Sequence, residues 1–161
     1  MQLSKNFSFN ELTTTSYSKF MDQNREEAHK YIDNLTNLAV LVLQHIRDKI
    51  NHSITISSGF RGDVLNKHIG GASSSQHSFG EAADISIQGM SADTLFNTIK
   101  NMGDSFLENV GQVILEEIGT KNWVHVSLKT KRYKEILENR YSSTKTVFLK
   151  TTDGIHYTQI S

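Results

Sequence analysis

Apolar residues at three- and four-residue spacings, Ile32, Leu35, Leu38, Ala39, Val42, Leu43 and Ile46, predict one helix over Arg25–Lys49. A helix with so broad an apolar stripe is stable only against another surface, so it must form one wall of a core. The rest of the chain supplies the opposite wall. Ser53-Ile54-Thr55-Ile56-Ser57 alternates and is β-branched, which predicts a strand. Further strands are predicted over Ala82–Ile87, Gln112–Glu116 and Trp123–Leu128, the last two joined by a turn containing Gly119. A second helix is expected over Ser91–Met102, capped by Ser91, with Leu95, Phe96 and Ile99 inside. This order predicts an α+β fold: a mostly antiparallel sheet with flanking helices, in one domain spanning residues 1–161.

Shorter segments complete the reading. Residues 3–20 form an entry segment with apolar Phe7, Phe9 and Leu12, and Ser8 with Glu11 has capping-box spacing. Thr13–Asn24 is polar and reads as loop. Asp63–His68 is expected to make a helical turn, and Gly70–Ser75 a glycine-rich loop. Residues 129–161 read as an extension: a helical stretch over Lys131–Asn139, then a hairpin over Thr146–Ile160 turning at Asp153-Gly154. Lys129, Lys131, Arg132 and Lys134 read as a solvated basic face. Neither an internal repeat nor a linker divides the chain.

Charge narrows the partners. Lys plus Arg equals Asp plus Glu at 17 each, so no bulk field favours nucleic acid or anionic lipid. The longest apolar run, Leu38–Leu43, is far too short for a bilayer, and Met1–Ser8 has no stretch suited to a signal peptide. There is no cysteine, which excludes disulfides and thiolate metal sites. Any metal must be held by imidazole and carboxylate, and the chain has 7 histidines.

One stretch concentrates chemistry: Ser75-Gln76-His77-Ser78-Phe79-Gly80-Glu81-Ala82-Ala83-Asp84. A histidine closes a flexible loop, Gly80 permits a sharp turn, and an aspartate follows just inside a strand. His125, in Trp123-Val124-His125-Val126-Ser127, can supply a third donor. Two histidines, one carboxylate and a water make a catalytic zinc set. If the two late strands pair with Glu116 opposite Trp123, Ile114 faces His125 and Glu116 lies diagonally on the same face. Glu116 is then a candidate base. His29, His45, His52, His68 and His156 lack such a motif and read as surface or core-edge residues.

These segments, together with Ser57-Ser58-Gly59-Phe60-Arg61, Asn66 and Gly70-Gly71-Ala72, resemble the zinc D-Ala-D-Ala carboxypeptidase family over about residues 3–128. That family includes bacterial cell-wall peptidases and phage endolysins, and it shares its zinc fold with the Hedgehog signalling domain. The resemblance implies Zn²⁺ held by His77, Asp84 and His125. It places Arg61 and Ser75 at bound peptide, with Trp123 on the cleft wall. The family's general base lies three residues before the last ligand, where this chain has Asn122, an amide that takes no proton at neutral pH. The function implied is hydrolysis of D-amino-acid-containing bonds in peptidoglycan peptide stems, by carboxypeptidase or endopeptidase action of a monomer. The alternative is a zinc-stabilised domain that binds cell-wall peptide or a protein partner without cleaving it.

Overall fold

A computed structural model describes residues Met1–Ser161. The chain enters through α1 (Phe9–Thr13), started by the expected capping box: the Glu11 amide donates to Ser8 Oγ at 3.2 Å, and the Ser8 amide donates to the Glu11 carboxylate at 2.9 Å. A 3₁₀ turn, Ser18–Phe20, then leads into α2 (Met21–Ala28), so the stretch expected to be loop up to Asn24 is partly helical. Buried Asn24 accounts for the difference. Its amide donates to the carbonyls of Thr13 and Phe60 at 2.9 and 3.0 Å and accepts from the Gly62 amide at 2.7 Å. Long-range partners order a segment that its own polarity would leave loose.

The long helix is present but irregular. From α2 it passes through a 3₁₀ turn, His29–Tyr31, into α3 (Ile32–Asn37), a π-helical turn, Leu38–Leu43, and α4 (Gln44–Ile50). Tyr31 leaves helical geometry, with φ −113° and ψ 23°, and its ring packs against Phe60 and Phe79 at 5.6 and 5.9 Å. Leu35, Leu38, Ala39, Val42, Leu43 and Ile46 are fully buried, as their spacing requires.

After β1 (Thr55–Ser58) come α5 (Asp63–His68), β2 (Ala82–Ser86) and α6 (Ala92–Lys100), whose cap Ser91 accepts from the Thr94 amide. The four-residue α7 (Asp104–Leu107) is too short to show a period and has no counterpart in the sequence reading. Next are β3 (Val110–Ile118), β4 (Lys121–Leu128), α8 (Lys131–Tyr141), β5 (Val147–Thr151) and β6 (Thr158–Gln159). The strands form one six-stranded sheet in the order β1-β2-β4-β3-β5-β6. Every neighbouring pair is antiparallel except β3 with β5, so the fold is the predicted α+β with a mostly antiparallel sheet.

Alternation along the strands gives the sheet two faces. Ala83, Ile85, Val113, Leu115, Val124 and Val126 join the main core with the long helix and α6. The other face carries Asp84, Ile114, Glu116, Trp123 and His125. Its flank is covered by α8, where Tyr133 and Leu137 pack with Ile114, Val147 and Leu149 in a smaller core.

Candidate metal centre

Register brings the chemistry together. Asp84 of β2 lies directly opposite His125 of β4, which lies opposite Ile114 of β3, and Glu116 lies opposite Trp123. His77 comes from a 3₁₀ turn, Gln76–Phe79, that ends in Gly80 at φ +67°. A side chain there would be strained, so glycine lets the chain reverse between His77 and Asp84. The long helix braces this turn: Asn34 donates to the Phe79 carbonyl at 2.8 Å.

The donor atoms of His77, Asp84 and His125 lie within 4.8 Å of one another, and all three residues are buried. Asp84 Oδ1 is 3.4 Å from His77 Nε2 and 3.1 Å from His125 Nδ1. Corners of a tetrahedron with ~2.0–2.2 Å bonds lie roughly 3.3–3.6 Å apart, close to these separations. The outer nitrogens have partners of their own. His77 Nδ1 faces the Gly59 carbonyl at 2.8 Å, and His125 Nε2 faces Gln76 Oε1 at 3.2 Å. Both contacts place the ring proton on the outer nitrogen, since a carbonyl oxygen only accepts. Lone pairs of His77 and His125 then point with the Asp84 carboxylate at one place, an arrangement that a cation relieves. The residues fit a metal ion.

Electrostatics agree. Burial lowers the His77 pKa, keeping the imidazole neutral as a ligand must be, although Asp84 opposes the shift. Burial pushes the Asp84 carboxyl up, yet interactions with His77 and His125 outweigh it and hold the group well below the usual carboxylate range.

The donors stand on the floor of an open cleft of 520 Å³, also lined by Arg61, Ser75, Glu116 and Trp123. Arg61 donates to Ser75 Oγ at 3.2 Å. Burial pushes the Glu116 carboxyl up to about 7, reinforced by the charge of Asp84 and opposed by His125 and Arg61. Asn122 is exposed, pairs across the hairpin with Glu117, and is not among the cleft residues. The remaining histidines lie elsewhere: His29 stacks on Phe9, His68 meets Tyr17 and Phe20, His45 meets Phe106, the His52 ring faces the Ile50 carbonyl, and His156 pairs with Asp153.

Sequence reasoning assigned no role to Gln76, Gly59, Asn24 or Asn34. Gln76 stands beside His77, and that adjacency was the available signal. Gly59 has no room for a side chain, because a Cβ there would collide with the Leu12 backbone. Arg132 corrects the solvated-face reading. It pairs with buried Glu81, and its guanidinium lies 3.9 Å from the Phe79 ring centroid. Gln76→Ala should weaken zinc affinity ~10–100-fold in a chelator competition, as expected when a ligand histidine loses its outer partner. Unchanged affinity would show that Gln76 does not orient His125.

An α+β sheet holding two imidazoles and a carboxylate at the floor of an open cleft has the donor set that catalytic metal sites use. The chain belongs to the peptidase M15 family, whose model matches residues 5–127. A comparison with curated proteins gave no match. The matched span takes in every metal-site residue and stops before α8, β5 and β6.

Proposed function

We propose that the protein is a zinc-dependent peptidase that cleaves D-amino-acid-containing bonds in peptidoglycan peptide stems, as a D,D-carboxypeptidase or an endopeptidase of the endolysin kind. One observation carries the reading: the His77–Asp84–His125 donor set lies in one open cleft with Arg61, whose planar fork suits a peptide carbonyl or carboxylate, and Glu116, which can accept a proton.

His77 Nε2, Asp84 Oδ1 and His125 Nδ1 are the atoms that would hold zinc. When bound, zinc supplies a Lewis acid that polarises a scissile carbonyl and acidifies a water. Arg61, steadied by Ser75, orients the peptide through its planar fork. Glu116 takes the proton from the attacking water and returns it to the leaving amine.

The direct test incubates zinc-loaded protein with purified muropeptides and looks for released D-Ala or split crosslinks by mass spectrometry. Binding without any cleavage would replace this reading with the zinc-stabilised binding domain. Arg61→Ala should weaken peptide binding roughly 10–100-fold, the worth of hydrogen bonds to a charged group, while zinc content stays the same. Loss of zinc in that variant would make Arg61 structural instead.

A further inference from the structure

We propose that Arg132 of α8 is a positioning residue of the metal centre, holding the turn that presents His77, so that the donor set depends on the C-terminal extension. The proposal rests on the metal reading above and deepens it. The family match ends at residue 127, before α8 begins. Yet the turn between the ligands His77 and Asp84 is held from α8 on both sides of its glycine.

His77 needs such a hold. It stands in the four-residue 3₁₀ turn Gln76–Phe79, which ends in Gly80 at φ +67°. A single 3₁₀ turn has few hydrogen bonds of its own, and glycine has the most backbone freedom to lose. The Ser78 amide donates to the Ser75 carbonyl at 3.0 Å, and the Gly80 amide reaches the His77 carbonyl only at 3.4 Å. From outside, Asn34 donates to the Phe79 carbonyl at 2.8 Å and the Arg61 amide to the His77 carbonyl at 3.2 Å. These contacts act on residues up to Gly80. The segment that leads on to Asp84 begins with Glu81.

Arg132 holds both neighbours of the glycine. Its guanidinium lies 3.9 Å from the Phe79 ring centroid, while its Nε donates to Glu81 Oε1 at 3.1 Å and its Nη2 pairs with Glu81 Oε2. Glu81 is only 1% exposed and also accepts from Thr130 Oγ1 at 2.8 Å. Thr130 caps α8, accepting from the Tyr133 amide at 3.1 Å. The Glu81 amide donates to the Gln76 carbonyl at 3.0 Å, and its carbonyl accepts from the Leu128 amide at 2.7 Å, at the end of the strand that carries His125. Tyr133 and Leu137 seat the helix on Ile114, Val147 and Leu149. A buried ion pair is a poor source of stability, since apolar residues of similar volume often serve as well or better. What this pair adds is direction. A planar fork on a carboxylate, stacked on a ring, fixes how Phe79, Gly80 and Glu81 are arranged, and that arrangement sets where His77 stands relative to Asp84.

The test compares the wild type with Arg132→Gln, Arg132→Lys and a double variant, Glu81→Leu with Arg132→Leu. Zinc affinity is measured by chelator competition, coordination geometry by the visible spectrum of the cobalt-loaded protein, and folding by thermal melts of the metal-free protein. The double variant removes one charge of each sign, so the net charge around the metal is unchanged and no carboxylate is left buried without a partner. Arg132→Gln should bind zinc ~10-fold or more weakly, as when a ligand loses an outer partner, with altered cobalt bands. Arg132→Lys should recover part of the loss, since lysine keeps the charge without the fork. The double variant should melt no earlier than the wild type and still bind zinc ~10-fold or more weakly, which ties the effect to position rather than stability. Wild-type affinity and spectrum in the folded double variant overturn the proposal. So does an Arg132→Gln protein that melts early but binds zinc as tightly as the wild type. A wild type that binds neither zinc nor cobalt removes the metal reading and this proposal with it, whereas equal metal binding by all four proteins overturns this proposal alone.

Discussion

Asp84→Asn should abolish stoichiometric zinc binding, and with it all hydrolysis, in a chain that still folds. Asp84 is the only carboxylate in the donor set and the atom common to both short separations, 3.4 Å to His77 and 3.1 Å to His125. Its replacement removes a full negative charge from a buried site, and the amide that takes its place can donate to a ring nitrogen, which satisfies the metal-free arrangement. The loss of affinity should exceed the ~10–100-fold typical when only an outer partner of a ligand is removed. Thermal melts give a readout independent of activity. A ligand bound only by the folded state stabilises it by about 4 kcal/mol at a thousand times its dissociation constant, so the wild type should melt earlier when a chelator strips the metal. The Asp84→Asn variant should melt at the same temperature with and without chelator. Retained zinc, together with a chelator-sensitive melt, would remove Asp84 from the ligand set.

Much of this site was legible because its geometry is a matter of strand period and register. The turn at Gly119 sets the pairing of β3 with β4, and from that pairing follow Ile114 opposite His125 and Glu116 opposite Trp123. His77, Gly80 and Asp84 are local to one another and needed no knowledge of the fold beyond a turn followed by a strand. What escaped the reading depends on partners far away in the chain. The Glu81–Arg132 pair spans 51 positions and the Gln76–His125 contact 49, so neither leaves a trace in local spacing. For the same reason Arg132 reads as one more exposed base and Asn24 as one more loop residue, although each is held by buried or tertiary partners. The break at Tyr31 was hidden too. The apolar spacing of the long helix begins only at Ile32, and the ring of Tyr31, where the backbone leaves helical geometry, packs on Phe60 and Phe79 from distant parts of the chain.

The same strand period separates the two candidate bases, Glu116 and Asn122, onto opposite faces of the hairpin. Trp123 and His125 share the cleft face of β4, whereas Val124 and Val126 point into the main core, so Asn122 projects away from the metal donors and lies exposed opposite Glu117. Asn122→Asp should therefore change turnover little. Glu116 stands on the cleft face, and Glu116→Gln should lower turnover by ~10²–10⁴-fold, the usual worth of a general base. The pH profile separates this role from a packing defect. Burial and the charge of Asp84 push the Glu116 carboxyl up to about 7, so it gains a proton as pH falls through that value and can no longer accept one. A dication held by His77, Asp84 and His125 favours the ionised form and moves the acidic limb of the wild-type profile below 7. Activity should rise with pH along that limb in the wild type and in Asn122→Asp, and the limb should be missing from the residual activity of Glu116→Gln. The opposite pattern, with Asn122→Asp raising turnover by the same large factor and Glu116→Gln nearly silent, would move the base to position 122 and require β4 to twist its outer end toward the cleft when substrate binds.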